Sequence, residues 1–202
     1  MGDEVKCAVR LGKKRAAGKA LLETSELIFR GEVRLKIPFA AMKSVEAVNG
    51  ELRVSGPNGL VVLEVGVCAA KWREKILHPK TRIEKLGVKR DARVSLLGEF
   101  DEDFLRELSV LTDKVNANAI EQGAEWIFFA VPSKKELSGV RKHAKKMRGG
   151  AALWVVYPKG QKEITETDVI AAGRNSGLKD VKVVGFSPTH TALKFVIPLA
   201  ER

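Results

Sequence analysis

The sequence predicts two domains of different fold class: a small α+β module, an antiparallel β barrel capped by one helix, and then a three-layer α/β domain that ends in a β hairpin. Short apolar segments separated by turn residues recur about every 8 to 12 residues as far as residue 65, which is typical of a small all-β structure. From residue 92 onward strand and helix patterns alternate, which predicts a mostly parallel sheet covered on both faces. We therefore expect domains over residues 1–79 and 92–202, joined by a linker over residues 80–91.

The first domain is predicted to hold about six strands between residues 19 and 65. Apolar and basic residues alternate over residues 33–37, which is the period of a half-buried strand. Asn49-Gly50 is a strong hairpin signal. A helix over residues 68–77 follows and stops before Pro79, and we expect Trp72, on its apolar face, to plug an open end of the barrel.

Strands followed by one tryptophan-bearing helix, over residues 18–79, resemble the pleckstrin-homology-like barrels and their bacterial relatives. The resemblance rests on the order of the elements and not on a motif. It implies binding of phosphoinositides, peptides or protein surfaces, or a scaffolding role. The basic run over residues 12–15 is a candidate contact for an anionic group, with a solvated segment as the alternative.

The second domain opens with a strand over residues 92–98 and a helix from Asp101 to about residue 111. Nearly continuous apolar runs over residues 124–131 and 151–157 predict strands that are buried on both faces. A helix is expected over residues 134–147, ended by Gly149-Gly150, and another from Thr165 or Thr167 to residue 175. Residues 181–186 and 192–197 are expected to form the closing hairpin, while no second strand is evident between residues 111 and 124.

Four segments of the second domain look like an uncharacterised bacterial family classed as a domain of unknown function, over residues 83–200. The resemblance implies a reduced Rossmann-like fold, similar to the later half of class I methyltransferases. It says nothing about which activity, if any, the protein has. The family usually has Thr-Trp-Ser where this chain has Thr-His-Thr, so the role of that aromatic residue does not carry over to His190. The segments that carry the resemblance are residues 86–89, 150–160, 177–183 and 189–195.

Two enzyme hypotheses depend on the turn after the first strand of the second domain. A methyltransferase that uses S-adenosylmethionine, or a nucleotide-binding enzyme, holds its cofactor at a glycine-rich turn there. This chain has Gly98 followed by Glu99 and Phe100, so we expect Phe100 to crowd the corner and leave no room for a cofactor. An open pocket at residues 98–101 would favour an enzyme, and a filled one would favour a scaffold.

A third hypothesis, a hydrolase that uses Ser187 or Thr189 with His190, is disfavoured. Adjacent residues of a strand point to opposite faces, so Thr189 and His190 are not expected to hydrogen-bond as nucleophile and base. The nucleophile-elbow pattern Gly-x-Ser-x-Gly is also missing from the sequence. We therefore expect no catalytic residues.

Two candidate binding sites remain. Ligands gather beyond the carboxyl ends of parallel strands, and Ser133, Lys134, Lys159 and His190 follow or face such ends, so together they could hold a small anion. The second candidate is the basic face of the predicted helix over residues 134–148, which could contact the phosphates of RNA or DNA, or an acidic protein surface, with a solvated face as the alternative. Its residues are Arg141, Lys142, Lys145, Lys146 and Arg148.

Composition limits the function classes further. The net charge of +11 permits anionic partners, but the charge is spread along the chain and solubility explains it equally well. Two cysteines and three scattered histidines give no metal signal, and no cofactor is predicted. The longest apolar run is too short for a membrane span, which together with the start of the chain predicts a cytoplasmic location. We expect a non-catalytic binding protein whose partner is a protein or a small anion. Nucleic acid is an alternative that the sequence does not favour, and a homo-oligomer stays open.

Overall fold

The computed structural model describes residues 3–57 and 59–201; Met1, Gly2, Asn58 and Arg202 lie outside them. The chain divides into two compact units, unit 1 (Met1–Lys80) and unit 2 (Thr81–Arg202). Across the described ranges, no helix combines the length and the apolar character that a membrane span needs.

Unit 1 is a curled seven-stranded antiparallel sheet, a half-barrel, where the sequence predicts a barrel, or a sandwich, of about six strands. Its spatial order is β4-β3-β2-β1-β7-β6-β5, and within the described residues no pairing joins the two edge strands. The strand that sequence reasoning missed is the first, although its Val5, Cys7, Val9 and Leu11 recur at the period of a half-buried strand and pack into the core of the unit. The strands are β1 (Asp3–Leu11), β2 (Lys14–Leu22), β3 (Glu26–Gly31), β4 (Arg34–Pro38), β5 (Ser44–Val48), β6 (Glu51–Gly56) and β7 (Gly59–Leu63).

Tight turns and one helix shape this half-barrel. Asn49 and Gly50 both have positive φ, 50° and 80°, which is the backbone of the hairpin turn that their sequence predicts. The predicted basic run lies at the β1–β2 hairpin, with Gly12 at φ 57°. The helix α1 (Cys68–Leu77) has the predicted bounds, and Trp72 on its inner face is 1% exposed in the core of the unit.

Unit 2 is a mixed six-stranded sheet with helices, in the order β12-β13-β11-β10-β8-β9. β8, β9, β10 and β11 are parallel, and β13 runs antiparallel to both β11 and β12, as the predicted hairpin requires. The strands are β8 (Val94–Leu97), β9 (Val115–Ala117), β10 (Trp126–Ala130), β11 (Ala152–Pro158), β12 (Lys179–Gly185) and β13 (His190–Val196). The helices are α2 (Arg82–Leu86), α3 (Glu102–Ser109), α4 (Ser138–Ala144) and α5 (Glu166–Arg174).

The central strands of unit 2 are buried on both faces. On β11, Leu153 and Val155 belong to the core under α4 and α5, while Trp154 and Val156 belong to the core on the opposite face, with α2 and α3. Every residue of β11 is buried. This two-sided burial produces the continuous apolar run in the sequence and makes the unit three-layered.

Three local features differ from the sequence-based expectations. Residues 82–86 of the expected linker form α2, which starts with a capping box of Thr81 and Glu84 and buries Ile83 and Leu86 in unit 2. The second strand thought to be missing is present as the three-residue β9, which is too short and too polar to leave an apolar pattern. The predicted helix over residues 134–147 is a 3-10 turn (Lys134–Leu137) followed by the short α4.

Candidate functional site

An open cleft of about 1,370 Å³ lies beyond the carboxyl ends of β8 and β10. From β8 the chain adds β9 on one side of the sheet and then returns to add β10 on the other side, so the topology switches between β8 and β10. Open α/β sheets bind their ligands at this switch point. The cleft is lined by residues 98–101, 129–132 and 186–190, by Arg82, Glu136 and Val156, and by the outer side of α3.

Gly98 directly follows β8 in the lining of the cleft, at a position that requires glycine. Its φ is +90°, and an added Cβ would lie 3.1 Å from the Cβ and 3.3 Å from the backbone oxygen of Ala130. The glycine lets the loop after β8 approach the end of β10. Residues 98–101 line the cleft, so the space that the sequence suggests to be filled is open.

Phe100 forms one wall of the cleft as part of an aromatic cluster. Its ring centroid lies 5.5 Å from that of Phe104, 6.4 Å from that of Phe128 and 6.2 Å from that of Phe186. Phe104 and Phe186 are themselves 4.8 Å apart. Phe100 packs into this cluster and is only partly buried, so it supplies an apolar wall and does not close the cleft.

Arg82 joins three elements at the rim of the cleft. Its guanidinium group lies 2.9 Å from an oxygen of Asp101 and 3.1 Å from one of Glu107, and its side chain is only 12% exposed. The same group lies over the rings of Phe186 and Phe104, at 5.0 and 5.3 Å. Burial alone would lower the pKa of Arg82, but the hydrogen bonds to Glu107 and Asp101 raise it above its ordinary value.

Carboxylates outnumber guanidinium groups along the cleft. The acidic residues are Glu99, Asp101, Asp103, Glu107 and Glu136, and the arginines are Arg82 and Arg106. Arg82 is paired as described, and Arg106 lies 3.4 Å from Asp103. Glu99 forms no ion pair with any described residue. The hydroxyl of Ser133 donates to Glu136 and lowers the pKa of that carboxyl.

A hydroxyl–imidazole cluster forms the wall that leads into β13. The hydroxyl of Thr189 lies 2.9 Å from Nδ1 of His190 and 3.3 Å from the hydroxyl of Ser187. The expectation that Thr189 and His190 would not hydrogen-bond is therefore wrong, because Thr189 lies in the turn before β13, where side chains need not alternate between faces. The backbone N–H of His190 also donates to the Ser187 hydroxyl, at 3.0 Å, which holds this turn in place.

The structure places the four predicted anion ligands in different surroundings. His190 lines the cleft, and the hydroxyl of Ser133 is bonded to Glu136 as described. The amino group of Lys134 lies 2.6 Å from an oxygen of Asp168. That of Lys159 donates to the backbone oxygen of Ser187 at 2.7 Å. Three of the four donors are thus occupied by protein acceptors, and the anion site stays a prediction.

The predicted basic face lies on α4 and on the turn that follows it. Arg141, Lys142, Lys145, Lys146 and Arg148 are all exposed. Lys146 and Arg148 also line a second, smaller cleft with Lys89 and Trp126. Within the part of the chain that the structure describes, there is no cluster of three or more residues that could hold a metal ion.

Sequence reasoning missed most of the polar lining of the cleft. Arg82 lies in the expected linker, and its partners Asp101 and Glu107 come 19 and 25 residues later. The one signal in the sequence was the capping box of Thr81 and Glu84, which marks the start of α2 and would have placed Arg82 in its first turn.

Comparison with known proteins gives matches to solved structures alone. A SAM-dependent methyltransferase from Aquifex aeolicus is 16% identical with a TM-score of 0.44, over 57% of this chain and 87% of that chain. A protein of the NADB-Rossmann superfamily from Streptococcus agalactiae is 12% identical with a TM-score of 0.39, over 58% of this chain and 68% of that one. The N-terminal PH domain of human ARAP2 is 12% identical with a TM-score of 0.34, over 45% of this chain and 88% of that one.

No family model and no curated protein matches the chain. The resemblance to a domain-of-unknown-function family is therefore not supported by a family model. The matched structures include methyltransferase, Rossmann-like and PH folds. At these identities and TM-scores they do not bear on function.

Proposed function

We propose that unit 2 binds a small organic ligand in the cleft at the switch point, and that this ligand is of nucleoside type and carries no phosphate groups. The observation that carries the proposal is an open cleft at the carboxyl ends of β8 and β10 whose charged lining is mostly carboxylate. The position supports ligand binding, and the charge selects the class of ligand.

The charge of the cleft disfavours phosphate-bearing ligands. Both arginines on its rim are already paired with carboxylates, so neither offers an uncompensated positive charge. Glu99 remains as an exposed acceptor in the loop that follows β8. A carboxylate in this position accepts hydrogen bonds from hydroxyl or ammonium groups and repels phosphate.

The apolar part of the lining suits a flat ring system. Phe100 presents a partly exposed ring at one wall, and the buried residues Val131 and Val156 also line the cleft. Small-molecule sites typically combine such apolar surface with a few polar groups that fix the orientation of the ligand. A nucleoside base against Phe100 and a ribose near Glu99 would satisfy both parts.

S-Adenosylmethionine is the best candidate among the ligand classes that the sequence raises. Its sulfonium and ammonium groups outweigh its one carboxylate, so its net charge is positive and it has no phosphate, whereas a nucleotide or a free anion would bring net negative charge to the carboxylates. Because Gly98 is the only glycine in the turn over residues 98–101, side-chain carboxylates would have to supply the recognition that a glycine-rich backbone supplies elsewhere.

Thermal unfolding of the full chain with millimolar ligand tests the proposal. We expect S-adenosylmethionine and adenosine to raise the melting temperature and ATP and inorganic phosphate to leave it unchanged; at 100 times Kd the stabilisation is about 2.7 kcal/mol. Glu99→Lys should abolish the shift. Glu102→Lys, a matched charge reversal at an exposed residue outside the cleft lining, should retain it. Stabilisation by phosphate or ATP alone, or by none of the four compounds, would overturn the proposal.

A further inference from the structure

A separate basic surface lies at the other end of the strands of unit 2, away from the cleft. α4 leads from the carboxyl end of β10 back to the amino end of β11, so its last turn lies at the edge away from the cleft. Five exposed cations occur here within eight consecutive residues. We call them the basic surface: Arg141, Lys142, Lys145, Lys146 and Arg148.

The backbone beneath these cations is ordered. The N–H of Lys145 donates to the carbonyl of Arg141 at 3.3 Å, and that of Lys146 donates to the carbonyl of His143 at 3.0 Å. The turn continues with a bond from the N–H of Ala151 to the carbonyl of Arg148, at 3.1 Å. Arg141 and Lys142 therefore lie on α4, Lys145 and Lys146 lie on the hydrogen-bonded turn that follows it, and Arg148 lies just beyond that turn.

These cations lack acidic partners. Within the described residues none of the five forms an ion pair, whereas Lys134 and Arg174, on the elements that pack beside α4, are paired with Asp168 and Asp180. The charges of Lys142 and Lys146 also act on the half-buried His143. The pKa of His143 is lowered first by burial and then by these two charges.

Stabilisation of the helix terminus does not account for so many cations. Basic residues near the last turn of a helix interact favourably with its carbonyl groups. Arg148 already does so, since its guanidinium group donates to the backbone oxygens of Lys145 and Met147 at 2.8 and 2.7 Å. The remaining four side chains are exposed to solvent, and none of them forms an ion pair with a described residue.

A second segment of the chain adds to the same surface. Lys89 lines a cleft together with Lys146 and Arg148, at the amino ends of β10 and β11. Two acidic residues, Glu121 and Glu125, also line it, and Glu125 accepts a hydrogen bond from the backbone N–H of Arg93 at 3.2 Å. A second segment thus places one more cation beside the basic surface, next to two carboxylates.

We propose that the basic surface binds the phosphate backbone of double-stranded nucleic acid without sequence preference, a function beyond the ligand binding proposed for the cleft. A regularly charged polyanion matches a cluster of unpaired cations on a rigid turn. Neutralising several phosphates releases their counterions, and this release supplies the affinity.

The chemistry of the surface disfavours the other polyanionic partners. A helix that binds a membrane surface stably inserts apolar side chains beside its basic face, and a protein interface has an apolar core, but the apolar residues of this segment, Leu137, Val140 and Met147, are buried. Single strands bind by stacking bases on exposed aromatic rings. There is no aromatic Phe, Tyr or Trp over residues 134–150, and the nearby ring of Trp126 is covered by Lys194, whose amino group lies 4.4 Å from its centroid.

The test measures binding of the full chain to a short random-sequence DNA duplex by fluorescence anisotropy over a series of salt concentrations. The variant replaces Lys142, Lys145 and Lys146 by Gln. The control replaces Lys114, Lys162 and Lys179 by Gln, so that both variants lose the same charge from exposed lysines of unit 2. Circular dichroism spectra confirm that both variants are folded.

We expect the basic-surface variant to bind the duplex at least about 10-fold more weakly, with a salt slope smaller by about 2.7, while the control changes affinity less than about twofold. Equal losses in both variants would show a diffuse charge effect and overturn the proposal. So would a wild type that does not bind the duplex at low salt, or one that binds single strands or anionic vesicles more tightly than the duplex.

Discussion

Arg82 and Asp101 are joined by an ion pair of 2.9 Å that links the first turn of α2 to the N-cap of α3. Asp101 uses the same carboxylate to accept a hydrogen bond from the N–H of Phe104 at 2.8 Å. One largely covered guanidinium group thus connects two helix starts at the rim of the cleft. The stability of unit 2 and the shape of its cleft should therefore depend on the same residue.

Replacing Arg82 by Met should destabilise the protein by about 1 to 3 kcal/mol, because Asp101 and Glu107 lose their shared partner. The matched control is Arg106→Met, whose pair with Asp103 is largely exposed, at 73% and 77% of the two side chains, and should cost less than about 1 kcal/mol. Chemical denaturation followed by tryptophan fluorescence measures both. Equal losses in the two variants would contradict a special role for Arg82.

Asp168 should titrate with a pKa of about 2, well below its ordinary 3.8, chiefly because it accepts a hydrogen bond from Lys134 and then from Thr165. Since the folded-state pKa lies below that of the unfolded chain, the carboxylate stabilises the fold above about pH 4, and this contribution is lost as the pH falls through about 2. Lys134→Met should raise the pKa toward the ordinary value in an NMR titration of the carboxyl carbons. Lys135→Met, the adjacent exposed lysine, should leave it where it is.

The parts of the fold that could be predicted are those in which burial requires apolar residues at regular positions in the sequence. β11 is covered on both faces, so its residues form a continuous apolar run and were placed to within one residue. β9 left no such pattern, because it exists only through pairing with β8 and its Val115 and Ala117 are exposed. The half-barrel of unit 1 could not be told from a closed barrel, since closure depends on whether distant edge strands meet.

The site could be predicted in position but not in chemistry. Alternating strands and helices predict a mostly parallel sheet with its ligand site beyond the carboxyl ends of the strands. They do not give the switch point, because the switch depends on β9, which left no pattern in the sequence. Whether a basic side chain is free to bind a ligand depends on partners that are distant in the sequence. Lys134 donates a hydrogen bond to Asp168, 34 residues later, and Lys159 donates one to a carbonyl group 28 residues later. Counting basic residues near strand ends therefore suggested an anion site where most of the charged groups that line the cleft are carboxylates.

Gly173 of α5 should not accept a side chain. A Cβ there would lie 2.0 Å from Cε1 of Phe195, which is fully buried. Alanine gains about 1 kcal/mol in helix propensity over glycine, but the clash costs more, so Gly173→Ala should give a net loss of about 2 kcal/mol in the free energy of unfolding. In a Phe195→Leu background the same substitution should be close to neutral. A penalty of equal size in both backgrounds would show that the ring is not the cause.

Tyr157 is the only tyrosine of the chain, so the ultraviolet absorbance of tyrosinate reports its ionisation alone. Burial, followed by the charge of Glu166 and a hydrogen bond to it, raises the pKa of Tyr157 from 10.0 to about 12. The hydroxyl and Oε2 of Glu166 are 3.5 Å apart. Because the folded-state pKa is the higher one, the stability that depends on the neutral hydroxyl is complete below about pH 10 and is lost as the pH rises through about 12.

Glu166→Gln should lower the pKa of Tyr157 but leave it above 10, since the burial remains, whereas Glu163→Gln, at an exposed residue, should not change it. A native titration midpoint that matches the one in denaturant would mean that Tyr157 is exposed and that β11 does not end in the core.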